Sequence, residues 1–200
     1  MNDAQPSLMN IVGERVALGP FSREIAPLLR RWLNDFPTAR FGGFPDPLEP
    51  WSDERVQSFL GRALTDPQRV WFAVFERESG RAIGHANLRD MDMRHGTAEI
   101  GLTIGDPADR GKGFGTEATR LLLDYAFTAL GLTNVLLDTF EFNAAAIRAY
   151  EKAGFKLIGR RRAAYVSAGR AWDVLLMDCL ASEFTSPVLA GLLGGGRDER

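Results

Sequence analysis

The sequence predicts one α/β (α+β) domain, in which a mixed central β-sheet of about seven strands carries helices on both faces. Strand-like and helix-like segments alternate along most of the chain. A strand, a helix and another strand follow one another between residues 96 and 142, which predicts a right-handed parallel crossover connection. The length of 200 residues and the hydrophobic content of 45% suit a single globular domain.

The expected elements follow the order β-α-α-β-β-β-α-β-α-β-β. Apolar alternation predicts strands at 14–21, 69–76, 81–90, 96–105 and 134–142, and a final hairpin over 155–166 and 170–180. Helical spacing predicts helices at 22–35, from Ser52 onward, at about 116–130 and at 143–154. Ser22 and Ser52 are expected N-caps and Gly154 an expected C-cap.

A loop rich in glycine and proline is expected at 36–51. We expect the domain to span residues 1–182. Residues 183–200, which contain Pro187 and three consecutive glycines, are predicted to form a weakly ordered tail with room for one docked helical turn.

Composition excludes several classes of protein. The net charge of −2 argues against a nucleic-acid binder, which needs a strongly basic surface. The one cysteine, Cys179, excludes an intramolecular disulfide and fits a reducing cytoplasm. The first residues do not resemble a signal peptide, and no apolar run is long enough to span a bilayer. Two histidines and one cysteine offer little material for a metal site, so none is expected.

The segment "DRGKGFGTEA" at 109–118 carries closely spaced glycines between a predicted strand and a predicted helix. A Walker loop needs a glycine, four residues, and then Gly-Lys-Ser/Thr. It does not fit, because Gly105 precedes Gly111 by one residue too many and Gly113 stands where the Ser or Thr is required. A dinucleotide fingerprint fits Gly111 and Gly113 but finds Thr116 in its third glycine position, which leaves it a weak alternative.

The pattern Arg/Gln-x-x-Gly-x-Gly/Ala fits residues 110–115, which resemble the acetyl-CoA-binding motif of the GNAT N-acetyltransferases. The segment "NAAAIRAYEKAGF" at 143–155 resembles the second signature of that family. Residues 98–118 are similar to one branch, the ribosomal-protein alanine and spermidine N-acetyltransferases. The resemblance covers roughly residues 12–180 and therefore implies the GNAT fold.

The resemblance implies direct transfer of the acetyl group from acetyl-CoA to a primary amine within a ternary complex. The acceptor stays open between a protein N-terminus, a polyamine and an amine-bearing small molecule. Neither nucleic acid nor membrane is expected as a partner, and a homodimer is compatible with the resemblance.

Catalytic roles are implied for Tyr150, as general acid toward the thioester sulfur, and for Glu99, as general base, with water as the alternative base. A backbone N–H near Leu102 or Thr103 is the expected oxyanion donor. The implied coenzyme-binding residues are Leu102, Thr103, Ile104, Arg110, Gly111, Lys112, Gly113, Phe114, Gly115, Thr116 and Asn143.

The acceptor groove is expected between the first two helices, their connecting loop and the final hairpin. Aromatic residues beside carboxylates suit a cationic amine; they are Phe36, Phe41, Phe44 and Trp51 beside Asp35, Asp46 and Glu49. Two other functional classes stay open at this point. One is a sensor or interaction module of the same fold that binds acyl-CoA without turnover, and the weaker one is a nucleotide-dependent oxidoreductase.

Overall fold

The computed structural model describes residues 8–41, 49–167 and 169–194. Its centre is an eight-stranded sheet in the order β1-β2-β3-β4-β5-β6-β8-β7. The strands are β1 Ile11–Val12, β2 Val16–Pro20, β3 Val70–Glu76, β4 Ala82–Asp92, β5 Thr97–Ile104, β6 Asn134–Phe140, β7 Lys156–Ser167 and β8 Arg170–Leu180. The predicted mixed sheet is confirmed. The added strand is β1, whose two residues are too short to show any alternation.

Helices cover both faces of the sheet, as the sequence predicts. They are α1 Ala26–Asn34, α2 Phe36–Phe41, α3 Asp53–Ala63, α4 Phe114–Asp124, α5 Ala144–Ala153 and α6 Leu189–Gly194. Helix α2 lies where only a loop was expected. The Asp35 side chain accepts a hydrogen bond from the backbone N–H of Thr38 and stabilises the start of this short helix. A π-helical turn at Tyr125–Ala129 continues α4.

The predicted helix caps are present. Ser22 accepts from the backbone N–H of Glu24 at the start of a 3₁₀ turn that leads into α1, and Ser52 accepts from that of Arg55 at the start of α3. Gly154 ends α5 with a φ of +117°, a conformation that glycine adopts without strain.

Two hydrophobic cores lie on opposite faces of the sheet. One packs α4 and α5 on the central strands and includes Ile100, Leu122 and Tyr150. The other packs α1 and α3 on the opposite face and includes Trp32 and Leu60. Both helix layers are therefore held by burial of apolar side chains.

The parallel pair β5–β6 confirms the predicted parallel crossover. The two strands pair at Thr97–Asn134, Ala98–Val135 and Glu99–Leu136, and no later pair joins them among the described residues. β5 stays paired with β4 as far as Ile104, and β6 stays paired with β8 as far as Phe140. The two strands therefore part after Glu99 and leave an opening in the middle of the sheet.

The segment after β8 contacts the end of α4. The fully buried carboxylate of Asp124 accepts from the backbone N–H groups of Val188 at 3.0 Å and Leu189 at 2.8 Å. The Leu189 side chain lies in the core. Part of the segment predicted as a tail is thus docked, while residues 195–200 lie outside the described residues. The domain boundary at residue 182 stays a prediction.

We expect Asp124→Ala to lower the free energy of unfolding by about 3 kcal/mol, because the N–H groups of Val188 and Leu189 and the hydroxyl of Thr128 lose their acceptor. Urea denaturation would measure the loss. Asp124→Asn keeps one acceptor oxygen and should retain most of the stability. An equal loss in both variants would show that the two backbone hydrogen bonds do not hold the C-terminal segment.

Candidate active site

The glycine loop, defined here as residues 105–115, connects the end of β5 to the start of α4. Gly111 and Gly113 have φ values of +73° and +84°, which explains their identity. The first backbone N–H of α4 with a partner is that of Glu117, which bonds the carbonyl oxygen of Gly113 at 3.1 Å. Within the described chain, the backbone N–H groups from Gly111 to Thr116 have no hydrogen-bond acceptor. The loop therefore presents a row of donors at a helix N-terminus, an arrangement suited to an anion.

Asp109 anchors the glycine loop to the start of β4. Its carboxylate, only 3% exposed, forms hydrogen bonds of 2.8 and 2.9 Å with the guanidinium of Arg81. The bond from Arg81 lowers the pKa of Asp109 below its ordinary value. This paired charge fixes the loop from inside the protein.

The Arg110 side chain also points inward. Its guanidinium donates to the carbonyl oxygens of Ile104 at 3.1 Å and Gly105 at 2.8 Å, and to the hydroxyl of Thr38. Burial lowers the pKa of Arg110 from its ordinary value. Arg110 therefore joins the loop to β5 and α2, whereas Lys112 is about half exposed and lies 3.8 Å from Asp109.

A third contact holds the opposite side of the loop. Arg15 donates through Nη1 to the carbonyl oxygen of Lys112 at 2.7 Å. The carboxylate of Glu117 accepts from the backbone N–H groups of Arg15 and Val16. Glu117 thus joins the first turn of α4 to the beginning of β2.

The opening between β5 and β6 begins beside the glycine loop. Leu102 and Ile104 point toward α4, because a Cβ built on Gly115 would lie 3.7 and 3.8 Å from their side chains. One edge of β5 faces β4, and beyond Glu99 its other edge faces the opening. The backbone near Leu102 and Thr103 therefore borders the space next to the loop.

Tyr150 and Asn143 reach this region from α5. Tyr150 is 9% exposed, and its ring packs against Phe155 in an edge-to-face arrangement. Burial, and then the negative charge of Asp138, raises the pKa of Tyr150 to about 12, while Arg89 opposes this shift. The described residues supply no hydrogen-bond partner for its hydroxyl. Asn143 accepts from the backbone N–H of Ala146 at 3.2 Å and so caps α5.

A group of three charged residues lies at the point where β5 and β6 part. Arg89 on β4 donates to Glu99 on β5 at 3.0 Å and to Asp138 on β6 at 3.1 Å. The family resemblance predicts a role for Glu99, whereas nothing in the sequence predicts its contact with Arg89 or the contact of Arg89 with Asp138. Asp138 and Arg89 lie 49 residues apart, so only strand pairing brings them together. The electrostatic contribution of Asp138 to the pKa of Tyr150 indicates that this group lies near the hydroxyl.

The residues expected in the acceptor groove do not all face solvent. Phe36 and Phe41 are exposed by 62% and 40%. Trp51, only 8% exposed, packs in the core between α1 and α3, so its side chain does not face an open groove. Asp35 binds Thr38, and Glu49 pairs with Arg55 at 2.6 Å. The predicted groove residues Phe44 and Asp46 lie outside the described residues.

The family model described as "Acetyltransferase (GNAT) domain" matches residues 15–156. The chain belongs to the GNAT acetyltransferases. It is an acyltransferase enzyme, and its fold is the GNAT fold. The oxidoreductase alternative is thereby excluded.

Three similar proteins illustrate this membership. An uncharacterized N-acetyltransferase p20 from Bacillus licheniformis is 31% identical over 175 residues, which cover 86% of this chain and 96% of that protein. Human alpha/beta-tubulin-N-acetyltransferase 9 is 28% identical and aligns over 74% of this chain and 75% of its own. A crystal structure of Vibrio cholerae spermidine N-acetyltransferase with CoA and spermine has a TM-score of 0.77 at 26% identity, and covers 86% of this chain and 98% of that one.

Two further observations concern cofactors and membranes. Among the described residues, no group of three His, Cys, Asp or Glu side chains is placed to hold a metal ion. No helix in the same part of the chain has the length and apolarity to cross a bilayer.

The single cysteine is buried. Burial raises the pKa of Cys179 to about 11, so its thiol stays protonated at neutral pH.

We expect Tyr150 to ionise near pH 12 in the folded protein, while the same phenol ionises near pH 10 in the unfolded chain. The stability that this difference contributes is present below about pH 10 and is lost as the pH rises through 12. An ultraviolet titration of tyrosinate in the wild type and in Tyr150→Phe would measure it, since the chain has only three tyrosines. The variant should lack the ionisation near pH 12. If it lacked an ionisation near pH 10 instead, the pKa of Tyr150 would not be raised.

Proposed function

We propose that the protein transfers the acetyl group of acetyl-CoA directly to a primary amine within a ternary complex. The observation that carries this proposal is the row of backbone N–H groups from Gly111 to Thr116, which have no acceptor within the described chain and border the opening between β5 and β6. Such donors suit the pyrophosphate of the coenzyme. The structure of the Vibrio cholerae relative with CoA supports the same assignment.

The glycine loop and the opening would hold different parts of acetyl-CoA. The loop and the N-terminus of α4, including Phe114 and Gly115, suit the two phosphates, because fixed N–H groups and the helix dipole both favour negative charge. The unpaired edge of β5 from Leu102 to Ile104 suits the amide-bearing arm. Asn143 can add its side-chain amide from α5. We assign Arg110 an anchoring role within the loop and keep Lys112 as an exposed charge near the phosphates.

Tyr150 would act on the leaving sulfur. Its raised pKa keeps the phenol protonated at any physiological pH, so the proton is always present. The ordinary pKa of a thiol is about 8.5, which makes this phenol the weaker acid of the two. Tyr150 therefore acts mainly by donating a hydrogen bond to the sulfur as negative charge develops on it, and this interaction is strongest in the transition state.

Glu99 would accept a proton from the acceptor amine, directly or through water. The group formed by Arg89, Glu99 and Asp138 carries two carboxylates and one guanidinium, so its net charge is −1. This charge favours a cationic amine at the entrance. The acceptor class is a protein N-terminus, a polyamine or an amine-bearing small molecule.

The proposal also covers location and assembly. We propose that the enzyme works in the cytoplasm, in agreement with its single cysteine, and that it forms a homodimer.

Gly111→Ala should weaken acetyl-CoA binding at least about tenfold, because the added methyl group meets no protein atom within 4 Å and would take up space beside the loop that is proposed to receive the phosphates. Isothermal titration calorimetry would measure the dissociation constant. Gly131→Ala is a matched control, since Gly131 has a φ of +70° but lies in the turn before β6. Both variants carry similar backbone strain of about 1–2 kcal/mol. Equal acetyl-CoA affinity in the two variants would remove the glycine loop from the coenzyme site.

Tyr150→Phe should lower kcat by roughly a hundredfold while acetyl-CoA affinity stays within about threefold of the wild type, because the hydroxyl acts mainly in the transition state. Steady-state kinetics across a panel of spermidine, a peptide with a free N-terminus and a simple alkylamine would give the effect and the acceptor class together. Tyr125→Phe is the control, since Tyr125 packs against Phe72 in the core.

If Tyr150→Phe kept the wild-type kcat while the chemical step was rate-limiting, the hydroxyl of Tyr150 would have no catalytic role and the residue would serve only in packing. Acetyl-CoA binding without transfer to any amine of the panel would contradict the proposed reaction. That result would favour the sensor of acyl-CoA that the sequence left open.

A further inference from the structure

A pocket of about 550 Å³ lies on the side of α4 that faces β1 and β2. Its walls are the turn at residues 12–15, the start of α4 from Thr116 to Leu121, and the segment Pro187–Val188. The opposite side of α4 faces β5, where Gly115 lies next to Leu102. The pocket is therefore separate from the opening between β5 and β6. Its volume is within the range of small-molecule sites, about 300–1,000 Å³.

Three guanidinium groups line this pocket, those of Arg15, Arg77 and Arg120. Arg15 is neutralised by Glu117 at 3.2 Å. Among the described residues, the Arg77 side chain donates only to two backbone carbonyl oxygens of the 12–15 turn, at 3.1 and 3.5 Å. These acceptors hold the guanidinium in place, and no carboxylate of the same part of the chain balances its positive charge.

Arg120 is a second arginine of this pocket that forms no ion pair with the described residues. Its guanidinium carbon lies 5.9 Å from the ring of Phe184. No carboxylate of the described residues lies within 4 Å of the guanidinium of Arg120 or of Arg77. The other acid in the lining, Glu14, is exposed at the rim and forms no ion pair within the described chain. Three guanidinium groups against two carboxylates leave a net charge of +1, and the positive N-terminal end of α4 adds to it.

Four other residues of the lining have apolar side chains, and they are Val12, Leu121, Pro187 and Val188. One part of the pocket thus favours negative charge, and another part favours hydrocarbon. We propose that this pocket binds an organic anion, that is, a carboxylate or phosphate group carried on a compact apolar body. The anionic group pairs with Arg77 and Arg120, and the apolar body packs against the hydrophobic wall.

The pocket is physically connected to the glycine loop. Arg15 lines the pocket and also donates to the carbonyl oxygen of Lys112 at 2.7 Å. Thr116 belongs both to the pocket wall and to the first turn of α4. A ligand that moves either residue changes the position of the loop, so we expect its binding to be coupled to that of acetyl-CoA.

Calorimetric titration of the CoA-saturated protein with phenyl phosphate and with phenylacetate tests the proposal. Saturation with CoA keeps the probes away from the glycine loop. Benzyl alcohol serves as the neutral analogue, and inorganic phosphate as the anion without an apolar body. We expect both aromatic anions to bind, and each of the two control compounds to bind more weakly.

The double variant Arg77→Gln/Arg120→Gln should weaken binding of both aromatic anions about tenfold or more, since charge-assisted hydrogen bonds are lost. Arg94→Gln/Arg162→Gln, on the β4–β5 turn and on β7, removes the same charge outside the pocket and should leave binding unchanged. Three results would overturn the proposal: no binding to the CoA-saturated wild type, equal binding of benzyl alcohol, or equal losses in the two double variants.

Discussion

The early parting of β5 and β6 is the constraint on which the rest of the site depends. Each strand is held along its other edge, β5 by β4 and β6 by β8, so the sheet stays continuous although its parallel pair is short. The backbone groups beyond Glu99 face the opening and must be satisfied by water or by a ligand. A molecule that carries its own amides can replace that water. We therefore propose that the coenzyme occupies this opening in place of a paired strand.

The glycine loop can serve this opening only because it is held from several directions. Asp109 is tied to Arg81, the Arg110 guanidinium is tied to the end of β5, and Arg15 holds the carbonyl of Lys112. These contacts fix the backbone N–H groups from Gly111 to Gly115, which have no acceptor among the described residues. Donors that do not have to reorganise when an anion arrives stabilise it better than mobile ones. Glycine provides the backbone conformation, and the surrounding arginines provide the rigidity.

Local features of this site could be predicted from the sequence. The glycine pattern, the caps at Ser22 and Ser52, and the end of α5 at Gly154 each depend on residues within a few positions of one another. The two-residue strand β1 and the short helix α2 could not be predicted, because neither has enough residues to show a period. Trp51 was expected in a groove but lies in the core. Composition alone does not show whether an aromatic residue beside a loop packs inward or outward.

Most long-range partners were also beyond prediction. Glu117 meets Arg15 across 102 residues of sequence, and Asp138 meets Arg89 across 49. Such pairs depend on the order of strands in the sheet, and a single sequence carries no local sign of that order. The position of Glu99 could be anticipated from the resemblance, whereas its bond to Arg89 could not.

The strand order also determines when the site can exist during synthesis. β8 lies between β6 and β7, and it pairs with β6 from Asn134–Leu180 to Phe140–Val174. Until residue 180 has left the ribosome, β6 has only its three pairs with β5 to hold it. The glycine loop and α4 emerge much earlier in the chain. The nascent protein can thus form its glycine loop well before it has the second wall of the opening, and a ribosome stalled between these points would carry half of the candidate site.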